Sequence, residues 1–525
     1  MSTTTATFTP EPIVTLANYF QEPYNLAVAT ARTCYAPRVI SSDEVGRDEQ
    51  ARAARDRIAE SIYHAGHHTT IQHPTFQFIL DRVSRQFIWS FLHAHPYYNS
   101  EQVSQRYVEV KPENFATPPL ADDARAAYVA TIHAQMDAYH RLIGLVEPTV
   151  EREYRRLFPQ RSLDEKRWRG AIKKRCQEVA RYALPVATHA HLYHTISGLT
   201  LHRYHRLCRE FDTPLEQQLV VQKMVDAVTV IDPEFFKRIE DPLPPAATPE
   251  YQLLSQYHGA LTAASQRAFL DEFDRSLDGR TSLLVDYNLH GAGTMAQAVR
   301  SVLGLTTAQL SDEDAIDWVL NPARNHLFAE ALNLTTLDKL TRTMSHPHFT
   351  FRKKLSHTAD SQDQRHRMTP ASRPVLARHL VLDRPDYIVP VLVRATPAAL
   401  STYEQVMERT WEGMRRLRAL GVDDELVMYL LPNAFPIRFE ESGDLLNLHH
   451  KWTKRLCYTA QEEIWNACRE EVLQVQQVFP QIARYLRAPC ALRQGAGVTP
   501  FCPEGDRFCG VAVWKQPLEA YHRLI

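Results

Sequence analysis

The chain has 525 residues, with 60 Lys and Arg against 61 Asp and Glu, and a formal net charge of −1. That length exceeds what one ordinary core organises and implies two domains of roughly 200–250 residues each. The balanced, interspersed charge excludes a global field that would draw the protein onto a nucleic acid polymer or an anionic membrane, so any phosphate has to be gripped locally.

In chain order, the opening MSTTTATFTPEP has neither the basic start nor the apolar stretch of a secretory leader. No apolar run approaches the roughly 20 residues of a membrane helix. We expect a cytoplasmic protein whose eight cysteines stay reduced. The segment FQFILDRV (76–83) has the β-branched and aromatic content of a strand. Tyr128, Ile132, Met136, Tyr139, Leu142, Ile143 and Val146 recur at helical spacing. EDPLPPAATPEY, Glu240 to Tyr251, carries four prolines and no apolar periodicity, which marks 241–251 as a linker between 1–240 and 252–525. In the second half DYIVPVLVRA (386–395) reads as another strand, and Val406, Met407, Trp411, Met414 and Leu417 as another amphipathic helix. The fold class is α+β, two tandem domains each with a mixed or antiparallel sheet and long helices.

The halves also echo each other. HPTFQF begins at His73 and HPHFTF at His346; Leu184 and Pro185 end ARYALP, and Leu431 and Pro432 end VMYLLP, at similar separations. A diverged tandem duplication accounts for both matches.

The first half runs TLANYF…AVATARTCYAP, then AGHHTTIQHPTFQFILDRVSRQF, then NSEQVSQRYV, and this succession resembles the flavin-dependent thymidylate synthases. Gly66, His67, His73, Phe76 and Phe78 stand in that family's order, as does the Ser-X-Arg-Tyr element Ser104, Gln105, Arg106 and Tyr107. The family's Arg-His-Arg triplet is missing: its place holds His93, Ala94 and His95, or Ala94, His95 and Pro96. The second half is the complement. Arg365, His366 and Arg367 follow His346 at the family distance, whereas Pro374 and Val375 stand where Ser-X-Arg-Tyr should open. The family's arginine ahead of Leu-Pro is Arg181 in the first half and Met428 in the second; its later arginine is Cys208 in the first and Arg455 in the second, followed in register by Ala460, Gln461, Glu462, Glu463 and Ile464. The family's Asn-Ala-Arg-Ser is replaced by Ser197–Thr200 and by Asp444–Asn447.

The resemblance implies transfer of a one-carbon unit from methylenetetrahydrofolate to dUMP or a related pyrimidine nucleotide, with FAD reduced by NADPH. In such chemistry the cofactor carries the electrons and the protein supplies position and charge. Two arginine forks flanking a histidine suit a diphosphate. The resemblance therefore gives Arg365, His366 and Arg367, with His73 and His346, to the flavin; Ser104, Gln105, Arg106, Tyr107 and Arg181 to the nucleotide; and Arg455 to the pyrimidine as the catalytic residue. Because the family builds each site from several subunits of a tetramer, complementary loss implies a composite site between unlike repeats and a homodimer standing in for four domains. A catalytically silent flavin- or nucleotide-binding homologue, or an enzyme making another C5 pyrimidine modification such as hydroxymethylation, fits the same residues.

Taken singly, these residues have plainer roles: a basic triplet is often a solvated loop, and a lone arginine an ion-pair partner. No metal is assigned. His189, His191 and His194 share no single helical face. Cys490, Cys502 and Cys509 near the C-terminal end, with His522 as a fourth ligand, are zinc candidates set against plain buried cysteines.

Overall fold

The computed structural model describes residues 7–525 except 95, 211, 238–239, 258–261, 331–337 and 524. Two compact units emerge, one from residues 1–133, 185–262 and 412–431, the other from 134–184, 263–411 and 432–525. Each half of the chain therefore lends a segment to the unit built mainly from the other.

Unit 1 holds β1 (Ile13–Tyr19), β2 (Thr75–Ser84), β3 (Asn99–Gln102) and β4 (His189–Ser197), an antiparallel sheet in the order β1-β2-β4-β3. Unit 2 repeats the plan with β5 (Ser282–Tyr287), β6 (His348–Ser356), β7 (Ala371–Ser372) and β8 (Pro436–Asp444), in the order β5-β6-β8-β7, again antiparallel. Both central strands bury alternate residues, Phe76, Phe78 and Leu80 in β2 and Phe349, Phe351, Lys353 and Leu355 in β6, as a half-covered sheet requires. The segment 76–83 thus lies within β2.

Each central strand ends on a serine that caps the next helix. The Ser84 hydroxyl accepts from Phe87 N at 2.9 Å and that of Ser356 from Ala359 N at 3.1 Å, satisfying a donor that a helix start leaves open. Behind the cap lies a buried glutamate in both units. Glu216 accepts from Ser84 N at 2.7 Å and from Tyr429 OH at 2.9 Å. Glu463 accepts from Ser356 N at 2.6 Å and from Tyr182 OH at 2.6 Å. In each unit the tyrosine comes from the other half of the sequence, and the backbone follows it. Val186 N donates to Leu431 O at 2.8 Å in unit 1, and Asn433 N to Leu184 O at 2.8 Å in unit 2. The two Leu-Pro segments are the exchange points.

The expected helices form as Asp122–Leu157 and Pro397–Ala419, burying Tyr128, Met136, Tyr139 and Leu142 in one and Met407, Trp411, Met414 and Leu417 in the other. The strand expected at 386–395 does not form. Pro390 instead precedes the short helix Val391–Arg394, because proline cannot donate to a sheet ladder yet fits a helix entrance. The proline-rich stretch forms a turn at Pro245–Ala247 and then the helix Pro249–Gln256, which takes in Tyr251.

Candidate functional site

In unit 2, β6 runs into the helix His357–Asp363, and the chain then turns through Arg365, His366 and Arg367. The turn is tight: His366 N donates to Asp363 O at 3.0 Å, and Thr369 returns to His366 O through its backbone N at 3.0 Å and its hydroxyl at 2.8 Å. Arg365, His366 and Arg367 are all half-buried, at the rim rather than in the core.

Beneath them lies a fully buried charged network. Lys353 from β6 reaches Asp363 at 2.8 Å, Glu441 of β8 at 2.9 Å and Glu471 of the helix Glu462–Val478 at 3.0 Å. Lys451, on the helix Leu445–Arg455, reaches Asp363 at 2.8 Å and Glu441 at 2.6 Å. Burial opposes each charge, but the partners outweigh it: Lys353 is raised well above its usual range by Asp363, Glu441 and Glu471, and Asp363 is held well below its own by the two lysines. Neutral donors supplement the two ammoniums. Thr369 Oγ1 donates to Glu441 at 2.8 Å, and Trp452 Nε1 and Ser282 Oγ donate to Glu471 at 2.7 and 2.9 Å.

The network fixes both elements that meet at the rim. Asp363 immediately precedes the triplet turn, and Lys451 lies one helical turn before Arg455. There Arg455 Nε donates to His366 Nε2 at 2.9 Å, and its Nη2 donates to Gln362 O at 3.1 Å. Burial first, then the positive charges of Arg455 and Lys451, push His366 well below the ordinary imidazole range. The ring is therefore neutral, with Nε2 accepting and the proton on Nδ1. Two residues far apart in sequence, assigned separately to flavin and pyrimidine, thus touch.

A family model described as thymidylate synthase complementing protein matches residues 15–234 and again 283–481. The chain belongs to this Thy1 family. The two matches fit a tandem duplication. Among similar proteins, a flavin-dependent thymidylate synthase of Clostridium tetani (strain Massachusetts / E88) is 24% identical over 229 residues, 43% of this chain and 85% of that protein. Another, from Nitratidesulfovibrio vulgaris, is 27% identical over 207 residues, 38% of this chain and 75% of that protein.

The remaining candidates of this Thy1 protein are spread more widely. Arg181 is buried in unit 2 on the turn Arg181–Ala183, its carbonyl accepting from Asn433 Nδ2 at 3.0 Å. Ser104, Gln105, Arg106 and Tyr107 form a turn in unit 1 just after β3. The Ser104 hydroxyl accepts from Arg106 N at 3.2 Å, the Arg106 guanidinium lies 5.4 Å from the Tyr107 ring centre, and Gln105 is buried. Arg85 braces this turn from behind, donating to Val103 O at 2.6 Å. His73 and His346 occupy matching exposed turns ahead of β2 and β6, in different units. His93 closes the helix Arg85–His93; His95 lies outside the described residues. His189, His191 and His194 lie on β4, with His191 exposed and the other two buried. Among the described residues, no three His, Cys, Asp or Glu side chains are already grouped as a metal set, and none of the helices is long and apolar enough to cross a membrane.

Reading the motifs missed the charged network. The signal was present in HFTFRKKL: a strand that turns Phe349, Phe351 and Leu355 inward must turn Lys353 inward with them, and a buried lysine demands carboxylates.

Proposed function

We propose that the chain is a flavin-dependent thymidylate synthase-like enzyme that transfers a one-carbon unit from methylenetetrahydrofolate to dUMP. The observation carrying this reading is the bond between Arg455 and His366. It joins the family's pyrimidine-side arginine to its flavin-side triplet at one half-buried rim, over a buried network of two lysines and three carboxylates.

The donor set fits FAD. Arg365 and Arg367 offer two guanidinium forks beside a neutral imidazole, suited to a diphosphate in a way that point-charge lysines are not. The transferred carbon arrives as a methylene and leaves as a methyl, so two electrons are required, which bound reduced FAD would supply and NADPH would replenish. The side chains do the rest. Arg455, aimed by Gln362 O and His366, places a fixed positive charge where a pyrimidine carbonyl gains electron density. His366 stays uncharged, so it adds no competing positive charge there.

Ser104 and Arg106, with Gln105 and Tyr107, are proposed to bind the nucleotide phosphate and Arg181 to assist; His73 and His346 are proposed to border the flavin. Because Ser-X-Arg-Tyr survives only in the first repeat and Arg-His-Arg and Arg455 only in the second, one reaction needs both sets, in a homodimer of two-repeat chains. The test is to supply the purified chain with FAD, NADPH, methylenetetrahydrofolate and dUMP. We expect dTMP, lost in Arg455→Ala at unchanged FAD occupancy. Bound FAD without any product would favour a silent homologue, and a hydroxymethylated product a different C5 modification.

A further inference from the structure

Four cysteines from separate stretches of sequence line one small cavity of about 30 Å3 in unit 2: Cys457, Cys490, Cys502 and Cys509. Cys457 follows the end of the helix Leu445–Arg455, Cys490 stands in the first turn of the helix Pro489–Gly495, and Cys502 and Cys509 flank the turn Gly505–Arg507. All four are free thiols. The sequence pattern had drawn in the last three with His522 as a fourth ligand. His522 does not line this cavity; its side chain is exposed and its backbone N donates to Tyr458 OH at 2.8 Å. Cys457 takes its place.

The remaining half of the chain's eight cysteines, Cys34, Cys176, Cys208 and Cys468, lie elsewhere, so the convergence is selective. Neutral thiols are weak hydrogen-bonding groups, so packing alone gives little reason to bring four together around one small cavity. A soft divalent cation does give one.

We propose that Cys457, Cys490, Cys502 and Cys509 form a structural zinc site of four thiolates. Among the described residues, no three of these sulfurs are already drawn together as a metal-ligand set. Cys457 Sγ lies 3.1 Å from Thr459 Oγ1, and Cys509 Sγ donates to Val511 O at 3.6 Å. Binding turns these side chains inward, releases their protons and brings each sulfur to about 2.3 Å from the metal. The site ties down a tail built of short helices and turns, which makes no strand among the described residues and is otherwise held by contacts such as Arg493 Nη1 to Ala329 O at 2.6 Å. It also anchors the turn that directly follows Arg455.

Chain purified without chelator should carry about one zinc. After chelator treatment under reducing conditions, Co2+ added to the intact chain should give the thiolate charge-transfer absorption and the strong visible bands of a tetrahedral site. Cys502→Ser should lose the zinc and weaken those bands, while Cys34→Ser, at an exposed cysteine of unit 1, should keep both. The cobalt experiment uses the unsubstituted chain, so it does not depend on a variant folding. A metal-free chain that binds Co2+ without thiolate bands would overturn the proposal. So would disulfides among the four cysteines in protein kept reduced, or zinc retained in Cys502→Ser.

Discussion

The same backbone plan encloses two different cores. Phe351 of β6 faces Glu441 where Phe78 of β2 faces His194. Two residues further along, β6 carries Lys353 and β2 carries Leu80. Counting forward equally from the capping residues Ser356 and Ser84 pairs Asp363 with Phe91, and from Asp444 and Ser197 pairs Lys451 with Tyr204. Counting from Glu463 and Glu216 pairs Glu471 with Met224. Five buried ionic residues in unit 2 thus stand where unit 1 has three hydrophobic residues, a tyrosine and a histidine, also buried. In unit 1 the rings close on one another, Phe91 to Tyr204 at 4.4 Å and Phe91 to His194 at 4.9 Å between centres. Neither nitrogen of His194 has a hydrogen-bond partner among the described residues.

Unit 1 shows that the fold does not require the ions. Burying five charges costs desolvation that an apolar core avoids, so their presence in unit 2 calls for another explanation. Position supplies it: Asp363 and Lys451 hold the two elements that present His366 and Arg455. The counterparts of those residues in unit 1 are Ala94 and Cys208. The network and the groups it supports are present together in one unit and absent together from the other.

The comparison breaks most sharply at Lys451. Lys451→Met leaves Asp363 and Glu441 short of a cation, and we expect a loss of about 3–5 kcal/mol, read by urea unfolding. Replacing all five ionic residues with their unit 1 counterparts should recover much of that loss while abolishing FAD retention. If the fivefold variant kept its flavin, the supporting role would be wrong.

Acid should act on His194 in unit 1. Burial depresses His194 to about 3, against roughly 6.5 unfolded, so below pH 6.5 the unfolded chain binds the extra proton. The neutral ring's stabilisation is full above pH 6.5 and falls as pH drops toward 3, by up to about 1.4 kcal/mol per unit. His194→Phe should flatten that slope in melting curves recorded across the range; an unchanged slope would count against a neutral buried His194. The smallest effect is expected at His366. Arg455→Ala removes one of the positive charges that depress it, so its titration, followed by NMR, should move upward. No movement would mean that Arg455 has no part in setting the ring's charge state.

Much of this was legible in the sequence wherever the signal was local. The 76–83 strand, the apolar stripes of the two long helices, the triplet and Arg455 follow from spacing and resemblance. The 386–395 segment misled because its β-branched content outweighed Pro390 on paper but not in the chain. The ionic network escaped because Lys353, Glu441 and Glu471 meet only after β6, β8 and a later helix pack. Cys457 escaped similarly, lying far in sequence from the other three cysteines. The exchange of segments at Leu184 and Leu431 left a motif in each half but no sign of which unit it would join.

The central proposal is that the Arg365–Arg367 turn of unit 2 anchors the flavin, and the flavin-to-chain ratio tests it directly. Titration of the intact protein with FAD should saturate at about one per chain. Replacing Arg365 and Arg367 together by alanine should remove charge-assisted contacts worth roughly 1.5–3 kcal/mol each and with them the bound flavin. Two flavins per chain, or one that survives the double substitution, would contradict the account.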